Sequence, residues 1–290
     1  MSQTMNMESK ISSSAHTLSL NSILVQAATT ASTVCPISIK ESCSDSSREI
    51  LFRSILKDEP TMIPLNYIQE CLTGTADGDI LEAYDSVLDR RFIVVPTSLC
   101  HDISTRHMQV QRVYGYSENL VLLESFAKGT VATFLKSFRS RVQLNAQRRI
   151  TIMLNAANVL AMSKFTISSR SIGIDNNLNA KVMRFPGGED EVHNFGILMI
   201  ELLTGALDKD GSEDRKFGDL TERYTIKGHL LEDDLDPYVR ESWTFNILSQ
   251  LVELSLQCIQ LQDKPKPDKL VETLSLISSR MRVVDNYDYY

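Results

Sequence analysis

The sequence contains no apolar run long enough to cross a membrane, which takes about 20 consecutive residues. Its most apolar stretch, FGILMIELL at 195–203, is interrupted by Glu201. The first residues also lack the charged and then apolar pattern of a secretory signal. We therefore predict a cytoplasmic chain without a transmembrane segment.

The cysteines of this chain do not form the spacing patterns that bind metal or build disulfide frameworks. The five cysteines are odd in number, and the two nearest, at 35 and 43, are eight positions apart; they are Cys35, Cys43, Cys71, Cys100 and Cys258. This spacing fits neither a CxxC zinc site nor a small disulfide scaffold. We expect reduced thiols and no structural metal.

Positive charge is also in deficit. The chain has 30 Lys and Arg and 37 Asp and Glu, which gives a net charge of −7. Proteins that bind nucleic acid usually carry a basic face. The only local concentration of basic residues is Arg139, Arg141, Arg148 and Arg149. We predict no nucleic-acid partner.

The two ends of the chain have the composition of unstructured segments. Residues 1–48 are rich in Ser and Thr and poor in acids, which favours a disordered leader. A cleaved transit peptide is the alternative, although the first arginine is Arg48. Residues 283–290 are predicted to form a flexible tail.

Strand signals precede helix signals along the chain. The runs FIVV (92–95), which ends at Pro96, and LVLL (120–123) are short, apolar and bounded by breakers or polar residues, as in strands. Later segments have helical periodicity, with predicted helices from Gly129-Thr130 along the stripe Val131, Phe134, Leu135 and Phe138, at about 145–163 with Asn145 as cap, at about 243–261, and at about 268–281. This order indicates an α+β protein with a small sheet-containing lobe and a larger helical lobe.

A helix predicted at about 189–204 is apolar on nearly all sides. It follows PGG (186–188), has acids at 189–191 in its first turn, and stops at Gly205. Such a helix is surrounded by protein.

Residues 192–205, VHNFGILMIELLTG, resemble the DVYSFGVLLLELLTG helix of plant receptor-like kinases. Further matches keep the order of that family: RVYGY (112–116) with LVLLE (120–124), KGTV (128–131), DNNLNAKV (175–182), LDP (235–237), LSLQC (254–258) and KP (266–267). The resemblance covers roughly residues 60 to 280. It implies a two-lobed protein-kinase-like fold, with an N-lobe at 49–125 and a C-lobe at 126–282.

The groups that position ATP in kinases are missing from the matching positions. Of the Gly-rich loop only Gly78 remains, and Asp77 and Asp79 place negative charge beside it. The strand lysine is matched by Pro96, which carries no cation. The helix that should provide its glutamate partner has little room, because only ten residues separate Pro96 from His107. The implied N-lobe is therefore reduced.

The groups that perform the chemistry are missing as well. Counting back from Asp175 places Thr166 at the catalytic base and Ser171 at the metal-binding Asn, and neither hydroxyl acts as a base at neutral pH. Arg184 stands at the magnesium-binding Asp, where a cation would repel the metal. The activation segment is reduced to residues 187–191.

The resemblance therefore implies a pseudokinase, with no catalytic, cofactor-binding or metal-binding residues. It further implies a protein-interaction or scaffold role with an active kinase or an immune receptor, in the cytoplasm or at the plasma membrane through that partner. Three alternatives stay open: nucleotide binding without magnesium, weak kinase activity through a displaced acid such as Asp175, and a decaying gene product.

Other polar groups have simpler interpretations. His193 lies in the apolar helix and is expected to pack there, and the neighbours His101 and Asp102 are not expected to form a catalytic pair. Ser168, Ser169 and Ser171 beside Arg170 fit a loop hydroxyl cluster, with a phosphorylation target as the alternative.

Overall fold

The computed structural model of the protein describes residues 40–57, 59–77, 80–207, 234–260 and 263–285. The predicted leader before residue 40 and the predicted tail after residue 285 lie outside these ranges, as do Gly78 and Asp79 of the Gly-rich loop. No helix within these ranges is both long and apolar enough to cross a membrane.

The first lobe is built on one sheet of six strands. In chain order they are Thr61–Met62 (β1), Leu72–Asp77 (β2), Ile80–Asp85 (β3), Arg90–Pro96 (β4), Val113–Tyr116 (β5) and Leu120–Glu124 (β6). The spatial order is β1-β5-β6-β4-β3-β2, with β1 parallel to β5 and every other pair antiparallel. The two predicted apolar runs form β4 and β6, which pair at the centre of the sheet.

Helices Lys40–Lys57 (α1) and Leu65–Cys71 (α2) cover one face of this sheet. Leu51 and Ile55 of α1 are buried there, and the Ser54 hydroxyl donates a hydrogen bond to the Tyr114 carbonyl of β5 at 2.5 Å. Helix α1 begins inside the segment that we expected to be leader. The predicted boundary at 48/49 therefore falls within a helix that packs on the sheet.

The other face of the sheet contacts the connection between β4 and β5. This connection contains a single 3-10 turn, Thr97–Leu99, and no α-helix. Val95 and Val121 on the sheet pack with Cys100 and Ile103 of the connection. As expected, the connection has no room for the glutamate-bearing helix. A loop takes the place of that helix, and the strands on both sides remain.

The second lobe consists mainly of helices and one hairpin. The helices are Val131–Lys136 (α3), Phe138–Arg141 (α4), Ala146–Met162 (α5), Glu191–Thr204 (α6), Phe245–Ile259 (α7) and Pro267–Asp285 (α8), and the hairpin strands are Ile172–Ile174 (β7) and Ala180–Val182 (β8). The Asn145 side chain accepts the Arg148 amide and caps α5 as predicted. The predicted boundary between the lobes, at 125/126, lies between β6 and α3.

Helix α6 is the buried helix that the sequence predicts. Asp190 caps its first turn, and it ends at Gly205, whose φ of 72° is the left-handed conformation that suits glycine. At Gly196 the helix approaches α7 so closely that a Cβ atom would lie 2.8 Å from the Cys258 Cβ. His193 packs here too, with its Nδ1 3.2 Å from the Ile259 carbonyl oxygen.

One expectation about the second lobe was wrong. The stripe beginning at Val131 does not extend to Phe138, because α3 ends at Lys136 and Phe138 is 66% exposed, stacked edge-on against Tyr238. Arg149 does not belong to a basic surface patch. Its side chain is fully buried and pairs with Asp236 at 2.5 Å.

Candidate functional site in the interlobe cleft

The segment matching the catalytic loop is bonded to the shortened activation segment. The Thr166 amide donates to the Phe185 carbonyl at 3.0 Å, and the Gly187 amide donates to the Lys164 carbonyl at 2.9 Å. The Thr166 hydroxyl donates to the Pro186 carbonyl at 2.5 Å. The last of these bonds uses the Thr166 hydroxyl, which the sequence match assigns to the position of the catalytic base.

Glu191, the first residue of α6, strengthens this closure. Its buried carboxylate accepts the amide of Ile167 at 2.7 Å and the amide of Gly188 at 2.5 Å. A carboxylate that accepts two backbone amides at a helix N-terminus is favourably placed, both for the hydrogen bonds and for the helix dipole. One side chain thus joins the catalytic-loop segment, the shortened segment and the central helix.

Gly187 sits where these two segments come closest. A Cβ atom at this position would lie 2.9 Å from the Lys164 carbonyl oxygen and 3.0 Å from the Phe165 carbonyl atoms. Such a separation is too short for a carbon atom against rigid backbone, so a larger residue would push the segments apart. The tight contact follows from the small number of residues between Pro186 and Glu191.

Arg184 is buried, with 3% of its surface exposed. Its guanidinium donates to the carbonyls of Gln111 at 2.6 Å, Thr105 at 2.5 Å and Asp102. All three carbonyls belong to the connection that replaces the missing helix. Burial lowers the pKa of the Arg184 guanidinium, because the charged form loses hydration.

The surroundings of Arg184 do not fit a magnesium ion. Magnesium requires hard oxygen ligands in near-octahedral geometry, usually with one or two carboxylates. Arg184 instead fills the position with a cation, and no carboxylate among the described residues lies within ion-pair distance of it. No cluster of three or more His, Cys, Asp or Glu that could hold a metal is found in the described part of the chain.

Strand β4 presents Val95, not Pro96, to the side of the sheet that faces this loop. Val95 lies opposite Val121, and both belong to the cluster with Cys100. Pro96 lies opposite Leu120, which packs on the face covered by α1. Directly opposed residues in an antiparallel pair share a face. The residue on the cleft side is therefore Val95, one position before Pro96, which the sequence match assigned to the strand lysine.

The remaining polar residues from the sequence analysis have structural partners. The Asp175 carboxylate accepts the amides of Asn177 and Asn179, both at 2.8 Å, and so holds the β7–β8 turn. The Ser171 hydroxyl donates to the Thr166 carbonyl at 2.7 Å, inside a cluster with Ser168.

His101 and Asp102 are adjacent in sequence, but their side chains have different partners. His101 stacks edge-on against Phe165 at 5.3 Å. The Asp102 carboxylate instead accepts the hydroxyls of Ser104, at 2.6 Å, and Thr105. The structure shows no catalytic pair at this position.

Sequence reasoning missed an ion pair between the lobes. Lys181 of β8 contacts both carboxylate oxygens of Glu124, at 2.7 and 2.8 Å, at the end of β6. The second oxygen of Glu124 also accepts the Arg112 amide at 3.1 Å. The two charges are 57 positions apart in the chain, so no local pattern could have connected them.

The fold is protein-kinase-like, and the sequence match assigns residues other than the usual ones to the catalytic positions. The fold class predicted from sequence is confirmed, with a sheet-containing N-lobe, a helical C-lobe and a much shortened activation segment. No family model matches the chain. The solved structures that it resembles nevertheless have the same fold.

Curated relatives and solved structures both belong to the receptor-kinase group. The chain is 24% identical over 243 residues to Protein STRUBBELIG-RECEPTOR FAMILY 5 of Arabidopsis thaliana, covering 63% of this chain and 35% of that protein. It is 26% identical over 206 residues to the receptor-like protein kinase At2g30940 of the same plant, covering 59% of this chain and 46% of that protein. The chain therefore spans less than half the length of either relative.

Two solved pseudokinase structures share the fold. The apo GRMZM2G135359 pseudokinase matches with a TM-score of 0.60 at 18% identity, over 76% of this chain and 94% of that one. The pseudokinase domain of BIR2, described as an immune regulator of the RLK/Pelle family, matches with a TM-score of 0.58 at 19% identity, over 74% and 83%. The resemblance to plant receptor-like kinases is confirmed, and the chain shares its kinase-like fold with solved pseudokinases.

Proposed function

We propose that this chain is a catalytically inactive kinase-like domain that works as a protein-interaction module. The observation that carries the proposal is Arg184. Its buried guanidinium is held by three loop carbonyls, and the sequence match assigns its position to the aspartate that binds magnesium in kinases. Phosphoryl transfer depends on metal ions that neutralise the developing charge, so this position opposes the reaction.

Three further positions support the same conclusion. Val95 and Pro96, on the two faces of β4, both lack the cation that would hold the phosphates. Thr166 offers a hydroxyl that already donates to a carbonyl, in place of a carboxylate base. Loss of one such group could be compensated elsewhere, but joint loss leaves no charge system to stabilise the transition state.

The shortened activation segment supports a role without a phosphorylated substrate. In the family, this segment forms the platform on which a protein substrate docks. Here residues 187–190 are tied to the catalytic-loop segment through Gly187 and Glu191. These hydrogen bonds hold the short segment against the catalytic-loop segment, which supports a role without a docked substrate.

The partner that we propose is an active kinase or an immune receptor. The similarity to BIR2, an immune regulator, supports this class of partner. We place the interaction in the cytoplasm, or at the plasma membrane through the partner. Binding would be to the surface of a rigid helical lobe, with no turnover.

A weak kinase that uses Asp175 is the main rival. The carboxylate of Asp175 is engaged by two amides of its own turn, which argues against a catalytic role. The test is an autophosphorylation assay on the full chain with magnesium and ATP, alongside Asp175→Ala. We expect no transfer from either protein, and activity that disappears with Asp175→Ala would establish the rival.

A second assay tests the interaction itself. The full chain is titrated with purified kinase domains of receptor kinases, and binding is followed by calorimetry. We expect saturable binding to at least one of them, unchanged by Thr166→Ala, since the hydroxyl has no chemical role in the proposal. Binding that needs magnesium and ATP would count against an inactive module.

A further inference from the structure

No acid occurs in the sequence between residues 125 and 174. This stretch holds eight Lys and Arg, in a chain that has 37 acids and a net charge of −7. It includes α3, α4 and α5, so the run without acids forms a continuous part of the C-lobe. Its exposed basic side chains have no neighbouring acid along the chain to offset them, which favours contact with an anionic partner.

Apolar side chains are exposed on the connection between α3 and α5, within this stretch. Phe138 of α4 is 66% exposed, and Val142, at the end of α4, is 53% exposed. Residues four positions apart on a helical turn lie side by side, so these two side chains form one small apolar patch. The side chains at 136–139 are all exposed, which means that the connection projects from the lobe.

Two arginines border this apolar patch. Arg139 and Arg148 are both exposed, and Gln143 lies between them. The Gln143 carbonyl accepts the Arg148 guanidinium at 2.6 Å, and the Gln143 side chain donates to the Arg139 carbonyl at 3.5 Å. Neither arginine forms an ion pair with a carboxylate of the described ranges. Both charges are therefore available to a ligand on the same surface.

Tyr238 extends the apolar patch from a distant part of the chain. Its ring is stacked edge-on against Phe138, with the two centroids 5.0 Å apart, and it is 39% exposed. Among the acids near it in sequence, Asp236 is buried in its pair with Arg149, and Glu241 is exposed. Tyrosine has an apolar body and a polar tip, which suits a boundary between apolar material and water.

We propose that the Phe138 surface, which consists of Phe138, Arg139, Val142, Arg148 and Tyr238, binds an anionic lipid membrane. Arginines attract the negatively charged lipids of a leaflet, and the apolar side chains beside them enter the boundary between headgroups and acyl chains. A projecting turn suits a membrane, whereas a peptide is usually held in a groove or on a sheet edge. The proposal is independent of the inactive-kinase assignment, because the Phe138 surface contains none of the catalytic positions.

Vesicle flotation tests the proposal on the full chain. The chain is mixed with vesicles of phosphatidylcholine alone and with vesicles in which about a quarter of the lipid is phosphatidylserine. We expect binding to the anionic vesicles only, and we expect it to weaken as salt screens the charges. The same chain is also titrated with an oligoglutamate peptide, which offers negative charge without a membrane.

Two double variants test the arginines. Arg139→Gln with Arg148→Gln should weaken vesicle binding about 25-fold, because each basic residue near an anionic surface contributes about fivefold. Arg53→Gln with Arg91→Gln is the matched control, since it removes the same charge from exposed positions of the N-lobe. We expect the control to bind like the parent. Thermal unfolding of each variant without vesicles shows whether the comparison is made between folded proteins.

Tryptophan fluorescence tests whether the apolar patch enters the lipid. Phe138→Trp adds an indole to a chain whose one native tryptophan, Trp243, is buried. Its emission should shift to shorter wavelength with anionic vesicles, because the ring enters an apolar environment. Leu56→Trp is the control, at a position of α1 that is 68% exposed and outside the Phe138 surface. Its emission should not change.

Four results would overturn the proposal. The parent chain might as well bind neither kind of vesicle, or bind both equally, and either outcome removes the selection for anionic lipid. Equal weakening by the two double variants would indicate a general charge effect. Binding of oligoglutamate without binding of vesicles would assign the Phe138 surface to an acidic protein partner.

Discussion

Two arginines are buried within the described ranges of the chain, and their surroundings differ. Arg149, in the core of the C-lobe, pairs with Asp236 at 2.5 Å and also donates to the carbonyls of Leu144 and Leu202. Arg184, in the cleft, has no described carboxylate at ion-pair distance and is held by carbonyls of the β4–β5 connection. Both guanidinium pKa values are lowered by burial, but Asp236 partly opposes the effect at Arg149.

The two buried arginines have different structural roles. The Arg149 pair joins α5 to the segment after α6 and belongs to the framework of the helical lobe. Arg184 joins the segment after β8 to the β4–β5 connection, which contains no α-helix. The buried cation of the C-lobe core is thus stabilised by an ion pair, and the buried cation of the cleft by hydrogen bonds to backbone carbonyls.

The largest effect is expected from breaking the C-lobe pair. Arg149→Met leaves the Asp236 carboxylate buried without its cation, and removal of one partner of a buried pair costs about 3–5 kcal/mol. Urea unfolding should show this loss. Its neighbour Arg148 is exposed, and Arg148→Met should change the free energy of unfolding by no more than about 0.5 kcal/mol.

A smaller loss is expected at the cleft. Arg184→Met removes three charge-assisted hydrogen bonds but also removes a buried charge, so we expect a net loss of about 2 kcal/mol. Arg91→Met, at an exposed position on β4, is the control. An Arg184→Met protein as stable as the parent would show that the carbonyl contacts do not hold the loop.

Glu191→Gln tests the closure of the shortened segment. The amide side chain keeps one acceptor oxygen but loses the charge that attracts the amides of Ile167 and Gly188, so a loss of about 1 kcal/mol is expected. Hydrogen exchange of these two amides should accelerate. Glu189→Gln, at an exposed neighbour, should leave exchange unchanged.

The smallest effect concerns pH. Hydrogen bonds from Ser104 and Thr105 lower the pKa of Asp102 from 3.8 to about 2. A depressed folded-state pKa stabilises the protein above the unfolded value, and that stability is lost as pH falls from 3.8 toward 2.

Asp102→Asn should remove this part of the acid sensitivity. Asparagine tolerates the positive φ of 45° at this position, so the substitution adds little strain. Stability measured against pH should fall less steeply between pH 3.8 and 2 in the variant than in the parent. Equal slopes would mean that the Asp102 contacts do not persist in solution.

Local patterns predicted the elements whose causes are local. Acids at 189–191 and Gly205 marked both ends of α6, and Asn145 marked the start of α5. The partners of Arg184 could not be predicted, because its carbonyl acceptors lie 73 to 82 positions earlier in a loop without a pattern.

Helix α1 was missed for a different reason. Residues 40–57 contain many polar residues, and the helix buries Leu51 and Ile55 in a cluster with residues of the distant β4 and β5 strands. A helix stabilised by tertiary contact gives a weak signal in sequence. The Arg149–Asp236 pair also depends on tertiary contact. Its members are 87 positions apart, so the sequence did not predict it.

ATP binding with and without magnesium tests the central claim most directly. The full chain is titrated with ATP in a thermal unfolding assay, once with magnesium and once with a chelator, and a ligand that binds the folded state raises the midpoint. With Arg184 in the metal position, magnesium should make no difference to the midpoint. A midpoint that rises only when magnesium and ATP are both present would contradict the account.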